Sequence, residues 1–173
     1  MAKVNGQTLT AIIGLLALVL LDACASKARG PISADAVSGY CPVCKMKVNA
    51  ADQFACEIVY NDGTKLLFES QGDLLRFYFA RDFPKPEQYE ATPAQRERSN
   101  ITKILAKDYN NKGQVDAREA ALVYKSRVES LMGPDVFGFA KREDAEKFAA
   151  TNGGKVVTFA TLTPEMVLNL RER

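Results

Sequence analysis

The residues best suited to do chemistry lie in one short segment, Cys41-Pro42-Val43-Cys44-Lys45-Met46. This segment offers two thiols and one thioether within six residues. Thiolate and thioether are soft ligands, which favour Cu(I) over hard cations. The chain contains no histidine, so the usual nitrogen ligand of zinc, iron and Cu(II) sites is missing. The segment therefore predicts a sulfur-based Cu(I) site, completed at most by a carboxylate or water.

The spacing of Cys44 and Met46 indicates how the segment presents its sulfur atoms. Residues two apart leave the same face of an extended chain. We therefore expect an extended stretch in which these two side chains form a two-point clamp for a linear or trigonal Cu(I). Lys45 and Lys47 are near enough to favour the ionised form of Cys44, which is the form that binds metal.

Other interpretations of Cys41 and Cys44 remain open. A thioredoxin-like thiol–disulfide pair has the same spacing, although such a motif normally follows a strand and opens a helix. Zinc would require Cys56 and a carboxylate as further ligands, because the sequence has no second Cys-x-x-Cys motif. Alternatively, the two cysteines form a structural disulfide and Met46 belongs to the core. Cys56 lies in an apolar segment, where a cysteine is most often an inert small hydrophobe.

A second methionine lies where its thioether could reach a metal ion. Met132 lies in Leu131-Met132-Gly133-Pro134, and the Gly-Pro pair interrupts regular structure so that a loop can project the thioether. Core filling is the default role of an isolated methionine, and we assign it to Met166. The sequence shows neither a nucleophile–base pair nor a Gly-rich phosphate loop, so we predict a protein that is not an enzyme. The net charge of +2 gives no basic footprint for nucleic acid.

The N-terminal sequence predicts export and lipidation. An apolar run over residues 11–21 is shorter than the about 20 residues that span a bilayer, which favours a leader over a membrane anchor. Leu21-Asp22-Ala23-Cys24 resembles a bacterial lipobox. We therefore expect a signal peptide over residues 1–23 and a lipid on Cys24; cleavage that leaves Cys24 unmodified is the alternative. Ala25 suggests, by analogy with bacterial lipoproteins, the outer membrane of a Gram-negative bacterium.

Periodicity and turn signals predict an α+β fold with mostly antiparallel sheet, in one domain over residues 40–173 that follows a flexible tether over 24–39. Each half of the domain, about 40–83 and 101–173, is expected to contain a strand pair followed by a helix. The predicted strands cover residues 55–60, 64–68, 101–109, 114–116, 136–140 and 155–159. The predicted helices cover 71–80, capped by Ser70 and Asp73, then 142–150, and finally 164–170 with Thr163 as its N-cap. Residues 84–100 are predicted to form a long exposed loop, and 119–127 either a helix or a strand.

Taken together, these features resemble the NosL family of copper lipoproteins, which serve the maturation of nitrous oxide reductase. The lipobox and Cys44-Lys45-Met46 carry the similarity, together with Lys107-Asp108-Tyr109, residues 115–120, Met132-Gly133-Pro134, Phe137-Gly138-Phe139, residues 144–149 and Asn152-Gly153-Gly154. The resemblance implies a periplasmic Cu(I)-binding accessory protein of two similar ββα-type units, with ligands at Cys44, Met46 and Met132. Lys45 stands where the family commonly has Gly, and in the absence of histidine we expect Cys41 to supply the auxiliary donor.

Residues and resemblance together predict a lipid-anchored, periplasmic Cu(I) metallochaperone. Cys44 and Met46 are expected to hold the metal, with Met132 closing from a second loop and Cys41 assisting. The expected partner is an apo-copper enzyme, which the resemblance identifies as nitrous oxide reductase. The alternative is a Cys-x-x-Cys thiol–disulfide protein that reduces the copper-site thiols of a partner.

Overall fold

The computed structural model describes residues 38–85, 89 and 91–172. The predicted signal peptide, Cys24 and most of the predicted tether lie outside the described residues. The strands are β1 (Ser38–Tyr40), β2 (Lys47–Asn49), β3 (Cys56–Tyr60), β4 (Lys65–Phe68), β5 (Ile101–Lys107), β6 (Gln114–Asp116), β7 (Ala121–Ser130), β8 (Gly133–Phe139) and β9 (Lys155–Thr158). The helices are α1 (Gln71–Phe79), α2 (Pro93–Arg96), α3 (Arg142–Asn152) and α4 (Pro164–Leu168). The predicted α+β class is confirmed.

The strands form antiparallel sheets. The first sheet has the order β4-β3-β5-β6 and the second the order β8-β7-β9, while β1 and β2 form a separate hairpin. The two larger sheets meet where a parallel bridge joins Asp108 to Gly138 and the Tyr109 N–H donates to the Gly138 carbonyl at 2.9 Å. The chain segment after β5 therefore connects the sheets directly.

The two larger sheets share one connection pattern. In the first, the β3–β4 hairpin is followed by α1, and β5 then returns to the free edge of β3. In the second, the β7–β8 hairpin is followed by α3, and β9 returns to the free edge of β7. The predicted ββα units are therefore present, each extended by one strand. The strand at 101–107, which we assigned to the second half, pairs with β3 of the first sheet.

Local sequence explains why most elements form where predicted. The Asn61-Asp62-Gly63 turn closes the first hairpin because Gly63 adopts φ +84° and Asp62 Oδ1 accepts the Thr64 N–H at 2.8 Å. The segment 119–127, which fitted helix or strand, is β7, and its side chains alternate between half-buried and exposed from Tyr124 to Ser130. That period of two is typical of a strand.

The predicted loop over 84–100 contains regular structure that we did not expect. Thr92 caps α2, its side chain accepting the Gln95 N–H while the Gln95 side chain accepts the Thr92 N–H. Pro93 occupies the first helical position, where its missing N–H costs nothing. This capping box explains a short helix in a segment poor in core-forming residues. β1 is a second correction, because Ser38 and Gly39 belong to it and not to the tether.

The main core lies between the helices and both larger sheets. Its largest fully buried members come from both larger sheets, from α1 and from the turn after α4, and they include Ile58, Phe68, Leu74, Ile104, Leu122 and Leu170. A smaller aromatic cluster packs beneath α3, where the rings of Tyr109, Phe137, Phe139 and Phe148 contact one another. Within the described ranges, none of the helices has the length and apolar character needed to cross a membrane.

Candidate metal centre

The Cys-x-x-Cys segment forms the turn of the β1–β2 hairpin. The strands pair Tyr40 with Lys47, so the six residues between them must reverse the chain. The Cys41 N–H donates to the Met46 carbonyl at 2.9 Å, and the Lys45 N–H donates to the Cys41 carbonyl at 2.9 Å. The expectation of an extended Cys44–Met46 stretch is therefore wrong. The turn wraps its backbone around Cys41 and brings the two thiols together.

Lys45 completes this turn in an unusual conformation. Its φ of +64° lies in the left-handed region, which costs an L-residue with a Cβ roughly 1–2 kcal/mol relative to the right-handed region. Glycine adopts this region without that cost. The turn requires a positive φ between Cys44 and Met46, and this explains why a glycine suits the position. The backbone of Lys45 is strained because lysine adopts this φ at a cost in free energy.

The turn places both thiols against a carboxylate from α1. The Cys41 Sγ lies 3.5 Å from Asp73 Oδ2, to which it donates. The Sγ atoms of Cys41 and Cys44 and a carboxylate oxygen of Asp73 all lie within 4.8 Å of one another. Cys41 and Asp73 are fully buried, and Cys44 is half-buried. Both cysteines are free thiols, as is Cys56.

Asp73 reaches the thiols because it lies in the first turn of α1. Ser70 caps this helix, its Oγ accepting the Asp73 N–H at 3.3 Å as predicted. The Asp73 carboxylate, which we expected to complete a capping box, faces other partners. Its Oδ1 lies 3.5 Å from Arg76 Nη1 and 3.3 Å from Arg171 Nη2. One buried carboxylate thus connects the thiols with two guanidinium groups.

Burial sets the protonation of both thiols. It is the main cause that raises the pKa of Cys44 to about 12, with Asp73 and Cys41 adding to the rise. Burial likewise raises the pKa of Cys41, and the Asp73 charge acts in the same direction. The expectation that Lys45 and Lys47 favour ionised Cys44 is therefore not met. In the metal-free protein both thiols are protonated at neutral pH.

The two methionines of the predicted site lie at different positions. Met46 follows the thiols at the end of the turn, and 38% of its side chain is exposed. Met132 is half-buried in the two-residue turn between Ser130 and Gly133, which pair at the end of the β7–β8 hairpin. The Met132 N–H faces the Ser130 Oγ at 3.4 Å. Both thioethers thus lie in chain reversals.

A hydrogen bond ties the Met132 turn to the helix that carries Asp73. Asp135, three residues beyond Met132, accepts the Gly72 N–H at 2.5 Å in the first turn of α1. Three residues of extended chain span at most about 10 Å. The Met132 turn therefore lies near the α1 N-terminus, where Asp73 meets Cys41. The two hairpins are thus tied to the same helix end, one through the Cys41–Asp73 contact and the other through the Gly72–Asp135 hydrogen bond.

Cys56 is not part of the thiol cluster. It is fully buried, and its Sγ donates to the Phe54 carbonyl at 3.2 Å. Burial is the main cause of its raised pKa, followed by the charge of Asp135. The zinc interpretation that required Cys56 as a third sulfur ligand has no geometric support, because the cluster that the structure brings together in its described part contains Cys41, Cys44 and Asp73.

The fold and the site define a class: an α+β protein whose hairpin turn presents one buried and one half-buried thiol side by side, a site suited to a thiophilic metal ion. The sequence model of the NosL family matches residues 33–167. This chain belongs to the NosL family.

A solved structure of a NosL protein has a similar fold. The chain is similar to the crystal structure of the copper chaperone NosL from Shewanella denitrificans, with a TM-score of 0.59 and 20% sequence identity. The similarity covers 79% of this chain and 97% of that chain. No curated protein sequence matches this chain.

The charged residues of this site, Asp73, Arg76 and Arg171, could not be recognised from the sequence. Asp73 was recognised only as a helix cap, and Arg76 and Arg171 were not singled out at all. Asp73 lies 32 residues from Cys41 and 98 residues from Arg171 in sequence. No local pattern links such distant residues, so tertiary structure is needed to show that they meet.

Proposed function

We propose that this protein is a metallochaperone that binds Cu(I) and delivers it to an apo-copper enzyme. The observation that carries the proposal is the pair of Sγ atoms of Cys41 and Cys44 within 4.8 Å of each other, in a chain that has no histidine. Soft sulfur donors favour Cu(I). Membership of the NosL family and structural similarity to a copper chaperone support the same function.

In this proposal the ligands are Cys41, Cys44, Met46 and Met132, and copper is cargo that the protein holds temporarily. The two thiolates supply strong donors from one turn, and the two thioethers supply weaker donors. Met46 is two residues from Cys44, and the Met132 turn lies near the α1 N-terminus against which Cys41 packs. Ligation by sulfur alone suits Cu(I) and disfavours hard cations.

Loading requires the thiols to lose their protons, because the thiolate is the form that binds metal. The Cys41 Sγ donates a hydrogen bond to Asp73 Oδ2 at 3.5 Å, and this bond is lost when Cys41 binds copper as a thiolate. Unloading uses the exposed side of the site. Because the Met46 thioether is a weak donor and partly exposed, an incoming acceptor ligand displaces it first and then exchanges with the thiolates in turn.

Anaerobic Cu(I) titration of the reduced protein, in competition with a cuprous chelator, tests the binding site. We expect one tightly bound Cu(I) per chain. Changes to the partners of metal ligands already cost ten- to a hundredfold in affinity, so Cys44→Ser should lose at least about a hundredfold and Met46→Ala about tenfold. Met166→Ala is the matched thioether control, and it should bind like the unaltered protein. Equal affinity of Cys44→Ser and the unaltered protein would refute the site.

We also propose nitrous oxide reductase as the acceptor and a lipid on Cys24 as the anchor, in the periplasm at the outer membrane. The resemblance of the lipobox and the family membership support these assignments. Copper-loaded protein mixed with apo nitrous oxide reductase should transfer copper to it faster than to an unrelated apo-copper protein. Equal rates would exclude that client. The mass of the N-terminal peptide, compared with that of a Cys24→Ser variant, should show the lipid.

The geometry supports metal binding over thiol–disulfide exchange. An exchange cysteine is activated by a lowered pKa, commonly at a helix N-terminus. Here Cys41 and Cys44 lie in a hairpin turn, and burial raises the pKa of both. A metal ion can displace these protons by binding directly, whereas a disulfide partner would meet two protonated and poorly nucleophilic thiols.

A further inference from the structure

The thiol site contains a further donor that Cu(I) binding does not use, the carboxylate of Asp73. Its Oδ2 lies 3.5 Å from the Cys41 Sγ, and an oxygen of Asp73 lies within 4.8 Å of the Sγ atoms of both Cys41 and Cys44. Cys41 and Asp73 are fully buried and come from a hairpin turn and a helix, so the fold itself brings these donors together. Two thiolates with one carboxylate oxygen are ligands that Zn(II) accepts.

The spacing of these donors matches a tetrahedral zinc site. With Zn–S of about 2.3 Å and Zn–O of about 2.0 Å, tetrahedral angles place a sulfur and an oxygen ligand about 3.5 Å apart and two sulfur ligands about 3.8 Å apart. The Cys41 Sγ and Asp73 Oδ2 are already 3.5 Å apart, and the remaining pairs of donors lie within 4.8 Å. Side-chain shifts of about 1 Å or less therefore allow one ion to contact all three donors.

The two oxygens of Asp73 face different groups. Oδ1 lies 3.3 Å from Arg171 Nη2 and 3.5 Å from Arg76 Nη1, whereas Oδ2 faces the Cys41 thiol. Carboxylates that bind a metal are in turn held by hydrogen-bonding neighbours, which fix their orientation. Both arginines can therefore stay on Oδ1 while Oδ2 binds an ion, and no buried charge loses its partner.

The exposed side of the turn offers a fourth position. Cys44 is half-buried and 38% of Met46 is exposed, so the thiols are open to solvent on this side. Zinc sites with three protein ligands keep a water molecule or another exchangeable ligand in the fourth position. The arrangement therefore corresponds to an open zinc site and not to a closed structural one.

We propose that the same turn binds a second metal, Zn(II), with Cys41 Sγ, Cys44 Sγ and Asp73 Oδ2 as the protein ligands and water as the fourth. The proposal goes beyond the proposed function, because it adds a metal and a ligand that Cu(I) delivery does not need. Binding releases the two thiol protons, since both sulfurs bind as thiolates. Both ligand sets include these thiolates, so the protein holds either Cu(I) or Zn(II), and Zn(II) competes with copper loading.

X-ray absorption at the zinc edge of the reduced full chain, loaded with one equivalent of Zn(II), tests the ligand set. We expect two sulfur neighbours at about 2.3 Å and two oxygen neighbours at about 2.0 Å. One equivalent of Cu(I), added anaerobically, should release the zinc to a chromophoric chelator, because thiolates favour Cu(I). A zinc shell of sulfur alone would overturn the proposal, and so would the retention of both ions by one chain.

Two variants should change the two affinities in opposite ways. Asp73→Asn should lower the Zn(II) affinity at least about tenfold, because changes to the partners of ligands already cost that much. Its Cu(I) affinity should change by less than about threefold, since all four sulfur donors remain. Met46→Ala should weaken Cu(I) binding about tenfold and leave Zn(II) binding within about threefold, because the thioether is not a zinc ligand here.

Asp108→Asn is the matched control for the loss of a buried carboxylate. Asp108 is buried outside the thiol cluster, and its oxygens accept the N–H groups of Asn110 and Ala140. This variant should change neither metal affinity. A loss of Zn(II) affinity as large as that of Asp73→Asn would show a general effect on folding and would overturn the assignment of Asp73.

The remaining outcomes separate the zinc site from the copper function. Unchanged Zn(II) affinity in Asp73→Asn, or an equal loss of both ions, would show that the carboxylate is not a zinc ligand or only supports the turn, and would overturn the proposal. A parallel loss of both ions in Met46→Ala would also overturn it. Failure of the unaltered protein to bind Cu(I), with Zn(II) binding intact, would instead refute the proposed function and leave the zinc site standing.

Discussion

The protonation of the Cys44 thiol depends on its three-dimensional surroundings more than on its neighbours in sequence. Two neighbouring lysines in sequence favour a thiolate, yet the side chain lies against Cys41 and Asp73 in a turn that shields it from water. Desolvation penalises the charged form, so the residue acts as a protected donor that a thiophilic metal must deprotonate. This protection suits the proposed role as a copper carrier, since an exposed thiolate would be oxidised.

The raised pKa predicts slow alkylation of Cys44 in the folded, metal-free protein. Only the thiolate reacts, so a pKa of about 12 means that the rate constant should rise about tenfold for each unit of pH between 7 and 10. Iodoacetamide labelling followed by mass spectrometry measures this rate. Labelling in denaturant, where the pKa returns to its ordinary value near 9, should be far faster at pH 8. A rate that levels off below pH 9 would contradict the shielded thiol.

Glu69 is a second residue whose titration the fold alters. Its carboxylate oxygens are both buried without a hydrogen-bond partner. Burial, followed by the charges of Asp135 and Asp73, raises its pKa to about 7 from an ordinary value of 4.5. Because the folded-state pKa is the higher one, the contribution of Glu69 to stability is fully present below pH 4.5 and is lost as the pH rises through 7.

Glu69→Gln should therefore change the pH dependence of stability. At pH 4 the variant and the unaltered protein should unfold with similar free energies, whereas at pH 8 the variant should be more stable by roughly 2 kcal/mol. Urea unfolding at both pH values measures the difference. Asp52→Asn, which alters an exposed carboxylate, is the control. A difference that does not depend on pH would show that Glu69 is not the titrating group.

Among the elements, the β1–β2 hairpin is the one on which the site depends most. Its short strands hold a six-residue turn, and that turn requires a left-handed residue between Cys44 and Met46. Lys45 adopts this conformation at φ +64°. The position of the thiols thus depends on the backbone of a residue that contributes no ligand.

Substitutions of Lys45 should rank by their tolerance of positive φ. Lys45→Gly should keep Cu(I) affinity and match or exceed the stability of the unaltered protein by up to about 1 kcal/mol. Lys45→Val should lose about 1–2 kcal/mol and bind Cu(I) more weakly, because a β-branched residue disfavours this region. Thermal unfolding and Cu(I) competition measure the two effects. Equal behaviour of the two variants would show that the turn geometry is not required.

Elements with a strong local pattern could be predicted from the sequence, and elements decided by pairing could not. The Asn61-Asp62-Gly63 hairpin, α1 after Ser70 and α4 after Thr163 carry their own turn and cap signals, and the structure confirms them. β1 and β2 are only three residues long, too short for a period to show. Whether residues 119–127 formed helix or strand depended on the partners of β7, which lie elsewhere in the chain.

The same distinction holds for the site. The sulfur donors Cys41, Cys44 and Met46 are neighbours in sequence, so their type and spacing were sufficient to propose a soft-metal site. The buried carboxylate of Asp73 and its arginine partners come together only through tertiary structure. Local sequence was therefore sufficient to identify the candidate sulfur ligands. The charged groups around them could be identified only from the tertiary structure.

At the scale of the whole molecule, Gly72 marks the point where three parts of the chain meet. Its N–H donates to Asp135 of β8, and a Cβ at this position would lie 2.7 Å from Asp135 Oδ1 and 3.0 Å from Leu170 Cδ2 of the C-terminal turn. The start of α1 is therefore packed against both the second sheet and the chain end. The site relies on this contact, because α1 positions Asp73.

Gly72→Ala should disturb this junction. The added methyl group must displace a buried carboxylate or a buried leucine, so we expect a loss of about 2 kcal/mol of stability and weaker Cu(I) binding. Gly39→Ala is the matched control, because its Cβ would meet Leu67 Cδ1 at an ordinary 3.8 Å. Chemical unfolding of the two variants measures the difference. If Gly72→Ala were as stable as Gly39→Ala, the close approach of α1, β8 and the C-terminal turn would be in doubt.

X-ray absorption spectroscopy at the copper edge of the Cu(I)-loaded protein tests the central claim most directly. If Cys41 and Cys44 hold the metal with methionine thioethers, the first coordination shell should contain only sulfur, and the edge should be that of cuprous copper. A shell with oxygen or nitrogen neighbours in place of sulfur would contradict the account.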